Sequence, residues 1–303
     1  MMFSFLSYNA QSVLFSTFLL GMAAGVIGSF AYWKRQSLMS DALSHAALPG
    51  VVLGFTILGE KNLFVMIIGA AITALLGAFL IQWIRSSSRV KEDAAMGIVL
   101  SVFFGLGIML LTFANRMPGG NQSGLDSFIF GQAASMVSKD VWTMMTVAII
   151  VLLLTVLLFK EWKIFLFDPS FAKGLGISTA GMNVLYMATL VLVIVVGIQA
   201  VGVILMAALL IIPSVSARYW TESFKVMVLL SALFGGASGM IGTFLSTIGK
   251  GWPTGPFIVV TAASVFLISL FLGSKKWLAV VLFQQKRQRK SMELVKMTRE
   301  VEQ

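Results

Sequence analysis

The sequence predicts an all-α, polytopic transmembrane helical bundle, and three observations lead to this fold class. Of the 303 residues, 58% are hydrophobic and only 11% are charged, and the mean hydropathy is +0.94. That is more apolar surface than a water-soluble core can bury, so lipid must solvate part of it. Apolar runs also recur along the chain at about the 20-residue length that a helix needs to cross a bilayer. These runs do not alternate apolar and polar residues at period two, which argues against a membrane β-barrel.

Charged or Gly- and Pro-rich connections separate the apolar runs into about nine predicted spans. Residues 199–202 provide almost no polar connector, so the two spans that meet there form either a tight hairpin or one broken helix, and the count is eight or nine. We divide the chain into a transmembrane domain of residues 1–280 and a basic tail of residues 281–303. The predicted spans are residues 12–32, 38–58, 63–84, 94–114, 140–159, 181–199, 201–217, 226–247 and 256–272.

The basic residues predict the orientation of these spans. Lys61, Arg116, Lys139 and Lys250 are the only Lys or Arg residues in one set of alternate loops, and all the others lie in the opposite set. By the positive-inside rule the richer set is cytoplasmic, which places the N-terminus outside and the C-terminus inside. Because the basic residues sit beside membrane-length segments rather than on one polar face, the formal charge of +10 does not predict nucleic-acid binding.

Pairs of glycines lie four residues apart within three of the apolar segments. Small residues at this spacing let helix backbones approach closely in lipid, where burial of apolar surface gives no drive for helices to associate. The sequence therefore predicts tight helix packing at Gly21 and Gly25, at Gly50 and Gly54, and at Gly235 and Gly239.

Asp41 and His45 are the candidate site residues. Nearly all other acidic residues fall in predicted loops, whereas Asp41 lies inside the second span, and His45 is the only histidine of the chain. Positions i and i+4 of a helix share one face, so the carboxylate and the imidazole are predicted to point the same way. Ten residues, or roughly 15 Å, separate His45 from Arg35 at the border of the span, which places the pair near mid-membrane. Pro49 and Gly50 follow directly and predict a bend or an interruption of this helix.

Two interpretations of this pair stay open from the residues alone. The side chains can simply hydrogen-bond each other or a neighbouring helix, or they can form part of a transport pathway. Imidazole and carboxylate suit Mn²⁺, Fe²⁺ or Zn²⁺ better than an organic solute, and the chain has no Cys to offer a thiolate. One helix provides too few ligands for a closed site, so water, another helix or a second subunit must complete the coordination shell.

The connection between the fifth and sixth predicted spans, residues 160–179, is a second feature of interest. Its sequence predicts a short amphipathic helix that Asp168 and Pro169 open and that Gly174 and Gly176 end. Phe167 and Phe171 are predicted to project from it. Such an element can dock on a soluble partner, or it can rest on lipid headgroups.

Sequence motifs for catalysis are absent. The chain has no G-x-x-x-x-G-K-[ST] phosphate loop and no H-E-x-x-H motif, and one histidine cannot form the usual multi-histidine zinc site of a hydrolase. If nucleotide drives transport, another polypeptide must bind it. These absences are consistent with a transporter subunit that has no catalysis of its own, and they leave an intramembrane enzyme open as an alternative.

The sequence resembles the ABC-3 family of metal-import permeases over most of residues 20–260. The most specific stretch is KRQSLMSDALSHAALPG, residues 34–50, which contains Asp41 and His45. The other matching stretches, in the expected order, are GSF at 28–30, KEDAAMGIV at 91–99, GLDSFIFGQA at 124–133, FDPSFA at 167–172 and QAVGVILMAALLIIP at 199–213.

This resemblance implies a type II ABC importer in a bacterial cytoplasmic membrane. Two permease subunits, a homodimer, would line a central path above two cytosolic ABC ATPases, and an extracytoplasmic metal-binding lipoprotein would deliver Mn²⁺, Zn²⁺ or Fe²⁺. Asp41 and His45 would contribute to metal passage as the cargo crosses, and no resident cofactor is expected. Residues 168–176, with Asp168, Pro169, Phe171, Gly174 and Gly176, would form the coupling helix that fits a groove on the ATPase.

Three other functions compete with this one. The chain could be an ion-coupled secondary metal carrier, which would need no ATPase. It could import a chelated organic cofactor, as related type II permeases do, although a wide apolar path without an Asp/His pair would suit that cargo better. An intramembrane enzyme with Asp41 as its acid is poorly supported, because no second carboxylate at similar depth is apparent. The ligand types do not choose among the three metals.

Overall fold

The computed structural model describes residues 8–58, 62–116, 131, 133, 136–249 and 252–273. The predicted tail of residues 281–303 lies outside the described residues, as does most of the 124–133 stretch. The division of the chain at residue 280 therefore stays a prediction.

Within the described ranges the chain forms eleven helices and no strand. Nine of them correspond to the nine predicted spans, and two short helices, α6 and α7, lie between the fifth and the sixth. The helices are α1 Tyr8–Trp33, α2 Ser37–Leu58, α3 Leu63–Ser87, α4 Glu92–Arg116, α5 Ser138–Leu157, α6 Phe159–Phe167, α7 Pro169–Gly174, α8 Thr179–Val201, α9 Val203–Arg218, α10 Phe224–Ile248 and α11 Thr254–Leu272.

Among the described residues, eight helices are long and apolar enough to cross a membrane. The one remaining predicted span, residues 201–217, corresponds to α9, which has 16 residues and a length of roughly 24 Å. The predicted all-α bundle of eight or nine spans is confirmed. The helices extend beyond several predicted spans because polar residues continue them at the ends, as Glu92 and Asp93 do in the first turn of α4, where acidic side chains favour a helix N-terminus.

Gly202 separates α8 from α9 and turns the chain back on itself. Its φ of 95° lies in the left-handed region that favours glycine. Asn183 near the start of α8 accepts a hydrogen bond from Lys34, and Arg218 at the end of α9 stacks over Trp33, so both outer ends lie beside the end of α1. Of the two arrangements predicted for residues 199–202, the structure has the hairpin.

We call the end of the bundle where α1 ends and α2 begins the basic end, because Lys34, Arg85 and Arg218 lie there. The connections that follow α1, α3 and α9 lie together at this end, as the predicted grouping of loops requires of them. The assignment of the basic end to the cytoplasm, and with it the orientation of the two termini, stays a prediction.

Tight packing at the three predicted glycine pairs is confirmed. In α1 and α10, a Cβ on Gly21 would overlap the carbonyl oxygen of Gly235, and a Cβ on Gly25 would overlap that of Ser231. Ser231 also donates a hydrogen bond of 2.6 Å to the carbonyl of Gly25. In the same way, Gly50 of α2 lies directly against the backbone of α3.

Replacing Gly25 with Ala should destabilise the protein by about 1–3 kcal/mol, because the new methyl group forces α1 and α10 apart. Gly105 of α4 is the matched control, since a Cβ there would meet no atom within 4 Å. Gly105→Ala should leave stability unchanged or raise it slightly, as Ala favours helix over Gly. Unfolding midpoints of the two purified variants in detergent test this, and equal midpoints would contradict the close contact.

An aromatic cluster fixes the short helices α6 and α7 at the basic end. Phe30 of α1 contacts Trp162 of α6 at 5.4 Å and Phe224 of α10 at 5.1 Å between ring centroids, each edge to face. Trp162 is fully buried. Edge-to-face pairs add stability beyond the apolar area that they bury. The cluster therefore attaches α6, and with it the segment that follows, to α1 and α10.

Candidate functional site

Asp41 and His45 lie side by side on α2. His45 Nε2 is 3.4 Å from Asp41 Oδ1, as the i,i+4 spacing on one helix face predicts. The His45 side chain is 12% exposed and that of Asp41 is 35% exposed. The pair is thus enclosed at the imidazole and open at the carboxylate.

His45 packs against α4. Its ring meets Phe104 edge to face with 4.7 Å between centroids. Its second nitrogen, Nδ1, is buried and has no hydrogen-bond partner among the described residues. A buried acceptor or donor without a partner costs free energy, so this nitrogen is suited to a ligand or to water.

The face of α4 next to the pair is open. Phe104 and Ser101 are exposed, and a Cβ on Gly97 would meet no atom within 4 Å. Among the described residues, no group of three or more His, Cys, Asp or Glu side chains could hold a metal ion. The pair therefore offers an incomplete coordination shell beside a surface that another molecule can reach.

Of the two outcomes predicted at Pro49, a bend or an interruption, the interruption does not occur, since α2 continues without a break to Leu58. Pro49 has no backbone N–H, so the carbonyl of His45, four residues earlier, loses its usual helical partner. Directly after Pro49, Gly50 lies against the backbone of α3, where a Cβ would overlap the carbonyl of Gly69. Packing against neighbouring helices lets a transmembrane helix tolerate an internal proline.

The connection after α5 contains two short helices where the sequence predicts one. Asp168 separates them and caps α7, because its Oδ1 accepts a hydrogen bond of 2.9 Å from the backbone N–H of Phe171. Pro169 occupies the first turn, and Gly176, with a φ of +79°, lies just beyond the end. These are the roles that the sequence predicts for Asp-Pro at a helix start and glycine at a helix end.

The two phenylalanines of this segment differ in their surroundings. Phe171 of α7 is 56% exposed, as expected for a projecting side chain. Phe167 ends α6, and although it is 48% exposed, its ring packs against Trp33 at 5.2 Å and Phe224 at 5.4 Å. Phe167 therefore helps to attach the segment to the bundle, which the sequence alone did not predict.

Sequence reasoning also missed a polar cluster at the basic end. It joins the α1–α2 connection to α3, α4 and α8 through side-chain contacts. Its partners are far apart in the chain, 149 positions in the case of Lys34 and Asn183, so no local motif marks it. Its members are Lys34, Gln36, Gln82, Arg85, Glu92 and Asn183.

Comparison with known proteins identifies the family. The ABC 3 transport family matches residues 7–273. The chain is 48% identical over 289 residues to the manganese transport system membrane protein MntC of Bacillus subtilis, a match that covers 95% of this chain and 66% of that protein. It is 40% identical over 283 residues to the zinc transport system membrane protein TroC of Treponema pallidum. This match covers 93% of this chain and 95% of TroC.

A solved structure agrees with this match. One chain of PsaBC from Streptococcus pneumoniae in complex with Fab superposes with a TM-score of 0.77 and 37% sequence identity, over 89% of this chain and 93% of that one. The helical architecture and the sequence match thus point the same way, to a multi-pass protein of the cytoplasmic membrane. The chain belongs to the ABC 3 transport family.

Proposed function

We propose that the chain is the permease subunit of an ATP-binding cassette importer that moves Mn²⁺, Zn²⁺ or Fe²⁺ into the cytoplasm. The observation that carries this proposal is the family match along nearly the whole chain, together with relatives named for manganese and zinc transport. The ligand chemistry of Asp41 and His45 supports it independently, since imidazole and carboxylate suit these ions.

Asp41 and His45 are proposed to hold the metal briefly during its passage. The carboxylate supplies negative charge at the open side of the pair, and the imidazole supplies a nitrogen ligand. Two ligands from one helix bind an ion weakly, which favours transport because the ion must leave as readily as it enters. Water or a second copy of the chain would supply the remaining ligands.

A homodimer is the assembly that we propose. The open face of α4 lies next to the pair, since Phe104 contacts His45 and is itself exposed. A second copy placed against this face would bring two Asp/His pairs toward one axis and shield the path from lipid. A cytosolic ABC ATPase and an extracytoplasmic metal-binding lipoprotein are proposed as the other two components.

Residues 168–176 are proposed as the contact with the ATPase. The segment lies at the basic end, Phe171 is exposed, and the Asp168 cap and the Phe167 contacts keep α7 in one orientation. A short capped helix that is attached to α1 and α10 through aromatic rings can transmit a displacement to the bundle.

Elemental analysis of cells tests the proposed function. Cells that express the chain with its ATPase and lipoprotein should accumulate at least one of Mn, Zn and Fe above the level of cells that lack only this chain. The element that changes identifies the cargo. Equal contents of all three metals would contradict metal import, and uptake by the purified chain alone under a proton gradient would instead favour a secondary carrier.

A further inference from the structure

A cavity of about 380 Å³, lined by both apolar and charged side chains, opens at the basic end, apart from the Asp41/His45 pair. Its walls come from the α1–α2 connection and from α2, α3, α4, α6, α7 and α8. The volume lies at the lower end of the range for small-molecule sites. The polar and charged residues that line it are Lys34, Gln36, Gln82, Arg85, Glu92, Lys173, Thr179 and Asn183.

Positive charge prevails in this cavity. Lys34, Arg85 and Lys173 line it, against the single carboxylate of Glu92. That carboxylate is already engaged, because Arg85 lies 3.1 Å from one oxygen and Gln36 donates a hydrogen bond of 2.5 Å to the other. No described carboxylate lies within ion-pair distance of Lys34 or Lys173. The cavity is therefore suited to an anion and not to a metal cation.

Lys34 is partly buried without an acidic partner in contact. Its Nζ lies 4.4 Å from the ring centroid of Tyr186 and 5.1 Å from that of Phe165, and it donates a hydrogen bond of 2.8 Å to Asn183. Burial lowers the pKa of Lys34 to about 8, with Arg85 acting in the same direction and Glu92 opposing it. A partly desolvated cation in this position gains stability when an anion occupies the space beside it.

Gln36 supplies a second indication that something binds here. The side chain is 5% exposed, and its Oε1 is buried without a hydrogen-bond partner among the described residues. Buried polar atoms are nearly always paired, so an unpaired acceptor in a cavity wall indicates a missing donor. A hydroxyl group carried by the bound anion would supply that donor.

We infer that this cavity binds the phosphate of a hydroxyl-bearing phosphate ester, contacted by Lys34, Arg85 and Lys173 with Gln36 accepting from the hydroxyl. Arginine and lysine together are the side chains that proteins use for phosphate, through charge-assisted hydrogen bonds. An anionic glycerophospholipid headgroup and a soluble phosphate ester share this chemistry. The cavity lies at the end of the bundle, where either could enter.

Occupancy would connect two parts of the molecule. Pro169 and Lys173 in the wall belong to the 168–176 segment, whereas Lys34 and Gln36 lead directly into α2. A phosphate held between them would fix the segment relative to the helix that carries Asp41 and His45. The binding itself does not depend on metal transport, so it can be tested separately.

The test measures binding to the purified full-length protein in dodecyl maltoside, which contains no phosphate. Two probes are compared: phosphatidylglycerol, followed by native mass spectrometry, and its soluble headgroup glycerophosphoglycerol, followed by calorimetry. The binding variant is Arg85→Gln with Lys173→Gln. The control variant, Arg89→Gln with Lys91→Gln, removes two exposed positive charges that do not line the cavity.

We expect the binding variant to lose at least about tenfold in affinity for the probe that binds, since each charge-assisted hydrogen bond contributes that much or more. The control should stay within about twofold, as exposed charges contribute little. Lys173→Gln alone should show an intermediate loss, which keeps the test valid if the double variant does not fold. Binding of the lipid only indicates a headgroup site, and binding of glycerophosphoglycerol indicates a soluble ligand.

A pH series adds a readout that nonspecific charge would not give. A phosphodiester keeps one charge between pH 7 and 9, whereas Lys34, which faces Glu92, Arg85, Lys173 and Tyr186, loses its proton in this window. Affinity should therefore fall by about tenfold from pH 7 to 9. Equal affinities in the binding and control variants, no binding of either probe, or an affinity that does not change with pH would overturn the inference.

Discussion

Replacing His45 or Asp41 with Ala is expected to reduce metal accumulation to the level of cells that lack the chain. Either change leaves the metal one ligand from α2 at a depth where water is scarce, and an unsolvated divalent ion has a large energetic barrier to crossing. Accumulation of the transported metal, measured by elemental analysis over time, should fall by more than about tenfold. A tenfold fall in rate corresponds to an increase of about 1.4 kcal/mol in the free-energy barrier to transport. Membrane content of each variant, measured by immunoblot, should stay unchanged.

Conservative variants separate ligation from packing. Asp41→Asn keeps the size of the side chain and an oxygen next to His45 but removes the charge, so it should be nearly as inactive as Asp41→Ala. If the two side chains only support each other structurally, Asp41→Asn should transport normally. Leu38→Ala is the matched control, because Leu38 lies one turn earlier on α2, is also exposed, and carries no ligand.

Replacing Phe171 with Asp should weaken the contact with the ATPase and so reduce metal uptake, while the permease still folds. Phe171 is 56% exposed and makes no ring contact with the described aromatic residues, so the bundle loses little when it changes. A charge there would have to be desolvated in an apolar contact with the ATPase, which costs several kcal/mol. Metal uptake should drop by more than about tenfold, a change of 1.4 kcal/mol or more in the coupling. ATPase that copurifies with the permease should fall in parallel.

Crosslinking offers a direct check of this contact. The chain has no Cys, so Phe171→Cys introduces the only thiol of the chain, and a thiol-specific reagent will react with the permease at this position alone. A bifunctional reagent should join this position to the ATPase. Thr247→Cys, exposed near the opposite end of α10, is the matched control and should give no such product. Equal crosslinking of the ATPase to both positions, or to neither, would contradict the docking proposal.

The spans were predictable because each depends on composition over about 20 consecutive residues. The i,i+4 geometry of Asp41 and His45 was also predictable from local sequence, because both residues lie on one helix and the helix fixes their relative positions. Gly202 was recognisable as a break, but its φ of 95° and the hairpin follow only from the packing of α8 and α9. The sequence left a bend or an interruption open at Pro49, and only the structure shows that α2 continues through it.

Contacts between distant segments set the limit of prediction. Phe167 was expected to project, yet it packs on Trp33 and Phe224, which are far from it in sequence. The cavity at the basic end is formed from seven separate parts of the chain and follows no periodic pattern. That Gln36 Oε1 has no hydrogen-bond partner among the described residues can be recognised only from the positions of the residues around it.

The backbone contacts at Gly25 and Gly50 have a consequence for how the transporter changes shape. Helices that touch through their main chains have no flexible side chains between them to absorb sliding, so α1 with α10, and α2 with α3, should each move as a rigid body. The two bodies are joined by the short connection of residues 34–36, in which Arg35 has a φ of 58°. When the transporter alternates between inward- and outward-open states, the two bodies would then slide past each other at their contact surface. The 34–36 connection would act as the hinge of this movement.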